Sequence, residues 1–286
     1  MSVNHYLDGS LNPKNIIDVA AYNIRFNHEH PDYFHLEGLL IFSGSQGSGK
    51  TISAVQYIQK VMHDYPKAVL CTNTFIKTLP INCVYEIKTV TFQNIERTII
   101  RYVSNVTGKR LRTVVMYTTS DGVSHCIVTD YEKNPGYTLP LVCEYDGLDC
   151  IKLLSNGEYG ILYDIDEIHL EFNSLESKNI PIEVMIEVSQ QRKQRKHIVG
   201  TTQVYGRMAK PLREQIRNVV LCQNYFRCIQ INTLIDGDKS SEEDGKLVTE
   251  SVKKFIWFHS PKLYDSYDTY AKMKRYSKEW KGRAIQ

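Results

Sequence analysis

The run Gly44-Ser45-Gln46-Gly47-Ser48-Gly49-Lys50-Thr51 matches the phosphate loop G-x-x-x-x-G-K-[ST] at each fixed position. Glycines let the backbone curl so that successive N–H groups point inward at an anion. A helix starting at the end of the loop adds its positive terminus. Lys50 would reach the β- and γ-phosphates, and the Thr51 hydroxyl is a ligand for Mg2+. All eight residues are therefore expected to bind a nucleoside triphosphate, with ATP as the default and Mg2+ as cofactor.

Other positions suit hydrolysis. Tyr159 to Ile165 is a largely apolar run that ends in Asp166-Glu167. There Asp166 would hold Mg2+ through water and Glu167 would polarise the attacking water. This strand is expected beside the phosphate loop. Asp164 stands at a position that is usually apolar and shares a face with Asp166 by strand alternation. It is either a supporting carboxylate or a sign that the register is shifted by two. The run Ile198 to Gln203 reads as another strand. Gln203 at its tip would sit beside the loop, where open α/β sheets bind ligands, and would bond the lytic water or the γ-phosphate.

Charge is uneven. The chain carries a net +3, yet Ser189 to Arg217 holds eight basic residues (Arg192, Lys193, Arg195, Lys196, Arg207, Lys210, Arg213 and Arg217) against the acid Glu214. Such a stretch suits binding to a phosphate backbone, an arginine donated to a neighbouring subunit's site, or a solvated basic face. Lys109, Arg110 and Arg112 form a second cluster, read as a solvated basic face with nucleic-acid contact as the alternative. From Glu250 onward nine basic residues face four acidic ones, interleaved with Tyr264, Tyr267, Tyr270, Tyr276 and Trp280. That mixture suits nucleic-acid or partner contact, or a C-terminal segment docked on the sheet.

The elements that must position these groups follow from periodicity. Leu39 to Phe42 is a short apolar strand before the loop; Ile52, Ala54, Val55, Ile58 and Val61-Met62 recur at helical spacing after it. Ala68 to Asn73 is the next strand, which makes a βαβ unit and predicts a mainly parallel sheet flanked by helices. Residues 1–35 read as an N-terminal extension with a short helix over Ile16 to Tyr22. His28-Glu29-His30-Pro31-Asp32 has metal-ligand residue types, but Pro31 breaks helical geometry, so a solvated loop is expected. Residues 84–140 read as a β-rich insertion carrying a hairpin, with strands Thr113–Thr118 and His125–Thr129 about an Asp121-Gly122 turn. A helix over Ile182 to Gln191, strands Val219–Cys222, Phe226–Ile231 and Phe255–Phe258, and an acidic loop from Asp236 to Gly245 complete the reading. Of 286 residues, 42% are hydrophobic and 23% charged, and no apolar run nears the ~20 needed to span a bilayer. Seven cysteines without a C-x-x-C pair argue against a disulfide framework or zinc site and for a reducing compartment.

The order of phosphate loop, Asp166-Glu167 strand, arginine-bearing helix end and strand ending Thr201-Thr202-Gln203 resembles the HerA/FtsK superfamily of ring-forming P-loop DNA-pumping ATPases. Within it the chain is most similar to the viral branch, the genome-packaging ATPases and Zot-domain assembly proteins of filamentous phages. Pro261-Lys262-Leu263-Tyr264-Asp265-Ser266-Tyr267-Asp268-Thr269 resembles a segment of that branch. The resemblance covers roughly residues 36–80 and 159–270. It implies an ASCE/RecA-like P-loop domain over 36–286, Gln203 as a sensor, and Arg192 or Arg195 as a finger supplied to the adjacent subunit, with Arg217 a further candidate. It also implies double-stranded DNA, a homo-oligomeric ring of five or six subunits and a portal or capsid protein as partners. The first expectation is a soluble motor that packages a viral genome into a procapsid in the host-cell cytoplasm. The alternatives are a membrane-associated extrusion or conjugation motor of the Zot type, and a non-motor P-loop switch or kinase.

Overall fold

The computed structural model describes residues 14–36, 38–134, 137–175, 180–237, 241–243, 246–248 and 251–268. Tyr270, Tyr276 and Trp280 lie outside them. The chain divides into two units between Tyr33 and Phe34. In the first, helix α1 (Lys14–Glu29) has no buried residue. It is longer than the sequence suggested and takes in His28 and Glu29, because no glycine or proline interrupts it before Pro31. Phe26 packs against His30 at 4.7 Å and Tyr33 at 4.9 Å between ring centres.

The second unit begins with β1 (Gly38–Ser43), the phosphate loop and α2 (Lys50–Asp64), then β2 (Val69–Thr72) and the two-residue β3 (Phe75–Ile76). β4 (Cys83–Phe92), β5 (Ile95–Ser104), β6 (Arg110–Thr118) and β7 (Ser124–Asp130) form an antiparallel sheet in that order. β8 (Leu141–Glu144), α3 (Asp149–Leu153) and β9 (Ile161–Ile165) follow, then α4 (Ile182–Ser189), α5 (Gln191–Gln194) and β10 (Lys196–Thr202). Last come α6 (Lys210–Arg213), β11 (Ile216–Tyr225), β12 (Ile229–Asp236), β13 (Ser241–Glu243), β14 (Lys246–Val248), β15 (Ser251–Phe258), α7 (Pro261–Tyr264) and β16 (Tyr267–Asp268).

The central sheet has the order β15-β12-β11-β1-β10-β9-β2-β8. From β11 to β8 each neighbouring pair is parallel; β12 and β15 add antiparallel at one edge. This is the additional-strand P-loop arrangement anticipated from the sequence. One local expectation is corrected. The Asp166-Glu167 strand β9 is not next to the loop strand β1, because β10 lies between them and pairs with both. The crossovers enforce this: β2 and β9 pair with each other, which leaves the place beside β1 to the later strand.

Parallel strands covered on both faces read as continuous apolar runs. Leu39 and Ile41 of β1 join the core on one face of the sheet, and Leu40 and Phe42 join the core on the other, with α2. Burying each such side chain contributes about 1.5–3 kcal/mol. The insertion packs into the first core through Ile100, Tyr102, Leu111 and Val114. The expected hairpin is β6–β7, closed about Asp121-Gly122 with Thr118 opposite Ser124. A second hairpin, β4–β5, turns on Gln93 and Asn94, both at positive φ (51° and 60°). Such turns match the strand twist, and Asn tolerates that conformation.

Two further readings change. Phe226 and Arg227 are not strand residues but the tip of the β11–β12 turn, with φ of 52° and 58°. Within the acidic stretch 236–245, Ser241–Glu243 pairs antiparallel with Lys246–Val248; Asp238, Asp244 and Gly245 lie outside the described residues. No helix among the described residues is long and apolar enough to cross a membrane.

Candidate nucleotide site

β1 delivers the chain to the loop at the carboxyl edge of the sheet, and α2 carries it away. Gly49, at φ 84°, closes the loop, and a Cβ there would collide with the Gln230 side-chain amide. The conformation favours glycine, and a side chain there would have to displace the Gln230 amide from its bond to Ser48 O. Lys50 is buried, and its Nζ donates to the Ser45 carbonyl at 3.0 Å, curling back over its own loop. That bond holds the ammonium beside the loop.

A cavity of about 800 Å3 opens on this edge. Gln46, Gly47, Gly49, Lys50 and Thr51 line it together with Asp166, Glu167 and Gln203, so residues some 150 positions apart meet in one space. Asp164 does not reach it. Asp164 is buried one pleat back and accepts from Thr72 Oγ1 at 2.7 Å, whereas Asp166 borders the cavity.

Asp166 and Glu167 are held by neighbours on two strands. Asn73, at the end of β2, clasps the Asp166 backbone: its Oδ1 accepts from Asp166 N at 2.8 Å and its Nδ2 donates to Asp166 O at 3.2 Å. Thr201 on β10 donates its hydroxyl to Asp166 Oδ1 and accepts from Glu167 N at 3.0 Å. Glu167 sits at φ 54°, a conformation uncommon for a residue with a side chain and enriched at functional sites. The Glu167 carboxylate is hydrogen-bonded at one oxygen, while its buried Oε2 has no hydrogen-bond partner among the described residues. Gln203 Nε2 donates to Oε1 at 3.1 Å, and His169 Nδ1 lies 3.2 Å from Oε2. The sequence singled out the Asp-Glu pair and Gln203. It missed Asn73, Thr201 and His169, whose roles arise from strand adjacency.

The cavity is also lined by Asn224, Arg227, His259, Tyr264 and Tyr267, from the β11–β12 turn and the C-terminal segment. Gln230 on β12 braces the loop from below. Its Nε2 donates to Ser48 O at 3.0 Å and to Asn232 Oδ1 at 2.9 Å, and Asn232 Oδ1 also accepts from Ser53 at 3.3 Å. No signal in the sequence marked these residues apart from the segment Pro261 to Thr269.

Thr51 and Asp166 border the same cavity and offer a hydroxyl and a carboxylate, hard oxygens of the kind that Mg2+ takes while keeping several waters. The residues fit that ion. Among the described residues no cluster of three or more His, Cys, Asp and Glu forms a metal cage.

The arginines are placed differently. Arg195 immediately precedes β10, so it lies at the amino edge of the sheet, and α5 puts Arg192 there too. Seven strand residues separate that edge from Gln203, roughly 20 Å at ~3.3 Å per residue. The chain does not bring Arg192 or Arg195 to its own phosphate loop. Two other basic residues leave the binding sets. Lys196 is buried, with Nζ 2.6 Å from Glu187 Oε2 and 2.8 Å from Ile151 O. Arg112 is fully buried, with bonds to Asp130 (2.5 Å), Lys67 O (2.6 Å), Asn156 (2.9 Å) and Tyr137 (3.2 Å). It is therefore neither a solvated face nor a nucleic-acid contact. A buried guanidinium needs such a complete set of acceptors.

No family model and no curated protein matches the chain. Among solved structures it is similar to the N-terminal domain of zonular occludens toxin from Neisseria meningitidis, with a TM-score of 0.46 and 13% identity over 82% of this chain and 100% of that one. It is also similar to the genome packaging NTPase from Sulfolobus turreted icosahedral virus 2 in complex with sulfate, with a TM-score of 0.40 and 12% identity over 79% and 96%. The DNA-packaging ATPase from Sulfolobus turreted icosahedral virus gives 0.40 and 10% over 78% and 97%. A likeness of this size fixes neither substrate nor partner for the chain.

Proposed function

We propose that the chain is a Mg2+-dependent ATPase that acts in an oligomeric ring and moves double-stranded DNA, packaging a viral genome into a procapsid. The observation that carries the hydrolytic part is the Glu167–Gln203 pair, which faces Lys50 and Thr51 across one cavity. Loop amides and Lys50 hold the triphosphate. Glu167 takes a proton from a water as its oxygen attacks the γ-phosphorus, while the bond from that phosphorus to the β-bridging oxygen breaks. The Gln203 amide donates to the Glu167 carboxylate and so orients it; in this reading it also senses the γ-phosphate. Thr51 and Asp166 would hold Mg2+, which would supply charge neutralisation to the bound triphosphate.

The oligomeric part rests on Arg192 and Arg195. Their place at the opposite sheet edge suits donation to a neighbour's nucleotide and not to their own. The DNA part rests on Arg207, Lys210 and Arg217, which are exposed, and on the resemblance in motif order.

The test is ATP hydrolysis by the assembled protein with and without double-stranded DNA. Stimulation by DNA, lost in Lys50→Ala, is the expected result; indifference to DNA contradicts motor action. Mixing Arg192→Ala or Arg195→Ala subunits with Glu167→Gln subunits should change activity beyond simple dilution. Dilution alone in both mixtures removes these arginines from the reaction.

A further inference from the structure

The cavity at the phosphate loop extends past the residues that hydrolysis uses. β10 and β9 bring Gln203, Asp166 and Glu167 to one side of β1. β11 lies on the other side, and its turn into β12 brings Asn224 and Arg227; the C-terminal segment adds His259 and Tyr264. A nucleoside triphosphate is a linear ligand with the γ-phosphate at one end and the base at the other. With the γ-phosphate directed to Glu167 and Gln203, the sugar and base are left to run toward the β11 side.

We infer that Arg227 and Tyr264, backed by His259 and Asn224, form the base-and-ribose half of the site and hold the nucleobase by ring face and cation. This rests on the reading that the loop binds a triphosphate.

The polar atoms of this wall are turned inward. Asn224 Nδ2 donates to Gln230 Oε1 at 3.2 Å and lies 3.2 Å from His259 Nε2. His259 Nδ1 meets the Tyr264 hydroxyl at 2.5 Å, and that hydroxyl donates to the Arg227 carbonyl. Tyr264 donates to Arg227 O, which puts the His259 hydrogen on Nδ1; His259 Nε2 then accepts from Asn224 and lies 3.1 Å from a second acceptor, Gln230 Oε1, so the cluster is not fully satisfied. The chain of bonds continues through Gln230 to the Ser48 carbonyl of the loop. What faces a ligand is chiefly the Tyr264 ring and the Arg227 guanidinium. The Tyr264 side chain is 46% exposed, and Arg227 stands on the exposed turn tip at φ 58°. Rings and guanidinium planes grip any base by its π-face, so discrimination among bases is weak.

The experiment measures affinities of the full chain, with Mg2+ present, for ATP, CTP and inorganic tripolyphosphate, which lacks base and sugar. Wild type is expected to bind ATP and CTP within about tenfold of each other. Arg227→Ala, on an exposed turn, and Tyr264→Ala should each weaken ATP about tenfold while tripolyphosphate moves less than about twofold. Tyr264→Phe, which keeps the ring, should retain ATP affinity within about threefold. Equal loss of ATP and tripolyphosphate in the two alanine variants, or no loss of ATP, overturns the assignment. So does a preference for ATP over CTP beyond about a hundredfold. Lys50→Ala should lose both ligands; retained tripolyphosphate affinity there overturns the phosphate-loop reading itself, and the base-side assignment with it.

Discussion

At the carboxyl ends of β9 and β10, Asp166, Glu167 and Gln203 border an open cavity. At the amino end of β10, Lys196 is sealed against Glu187 and a carbonyl, and nearby Arg112 ties the insertion to the Lys67 carbonyl just before β2. Both ends are rich in ionisable groups. At the amino end each buried charge is met by a counter-charge or carbonyl and has nothing left for a ligand. At the carboxyl end, Glu167 and Lys50 are held by neighbours that can be exchanged for water and phosphate. Burial with complete pairing marks a structural charge; shared access to a cavity marks a functional one.

That contrast can be broken at either end. The largest effect on stability is expected from Glu187→Ala, which leaves the Lys196 ammonium buried without its carboxylate. Unfolding free energy should fall by about 3–5 kcal/mol in urea titrations, with nucleotide affinity of the folded protein unchanged. Adding Lys196→Met should restore most of the loss, because an apolar side chain of similar volume needs no partner. At the carboxyl end, Lys50→Ala should weaken ATP binding roughly 10- to 100-fold by titration, the loss of a charge-assisted bond, with thermal unfolding little changed. Asn73→Ala should cost about 1–2 kcal/mol by removing two bonds to the Asp166 backbone, and should lower kcat more than affinity.

The smallest effect is a pH dependence. Burial lowers the Lys196 pKa from its ordinary value, against the pull of Glu187. Between that lowered value and about 10.5 the unfolded chain binds more protons than the native one, so this group's contribution to stability rises with pH through that window. Comparing wild type with Lys196→Met at pH 8 and pH 10 should show wild type gaining on the variant; a loss relative to it contradicts the assignment.

The same contrast explains what the sequence disclosed. The phosphate loop, β1, α2, β9 and β10 were legible because their signals are local: a motif, apolar runs and a helical period. The order in which strands pair was not, so Asp166-Glu167 was expected one strand too near the loop. β8 is four residues long and carried no motif, and the β4–β5 hairpin turns on Gln-Asn without a glycine. Arg112 and Lys196 counted as surface charge because their partners, Asp130 and Glu187, are only identified by folding. The base-side wall was illegible for the same reason. Asn224, Arg227 and His259 become neighbours of the loop only when β11, β12 and β15 line up beside β1.

The central claim is that the carboxyl-edge cavity hydrolyses the triphosphate it binds, with Glu167 as the base. The most direct measurement compares Mg2+-ATP binding and single-turnover hydrolysis in wild type and Glu167→Gln. The account predicts ATP bound within about threefold of wild-type affinity and hydrolysis slowed about 10^2- to 10^4-fold. Hydrolysis in Glu167→Gln at a rate within about threefold of wild type would contradict it.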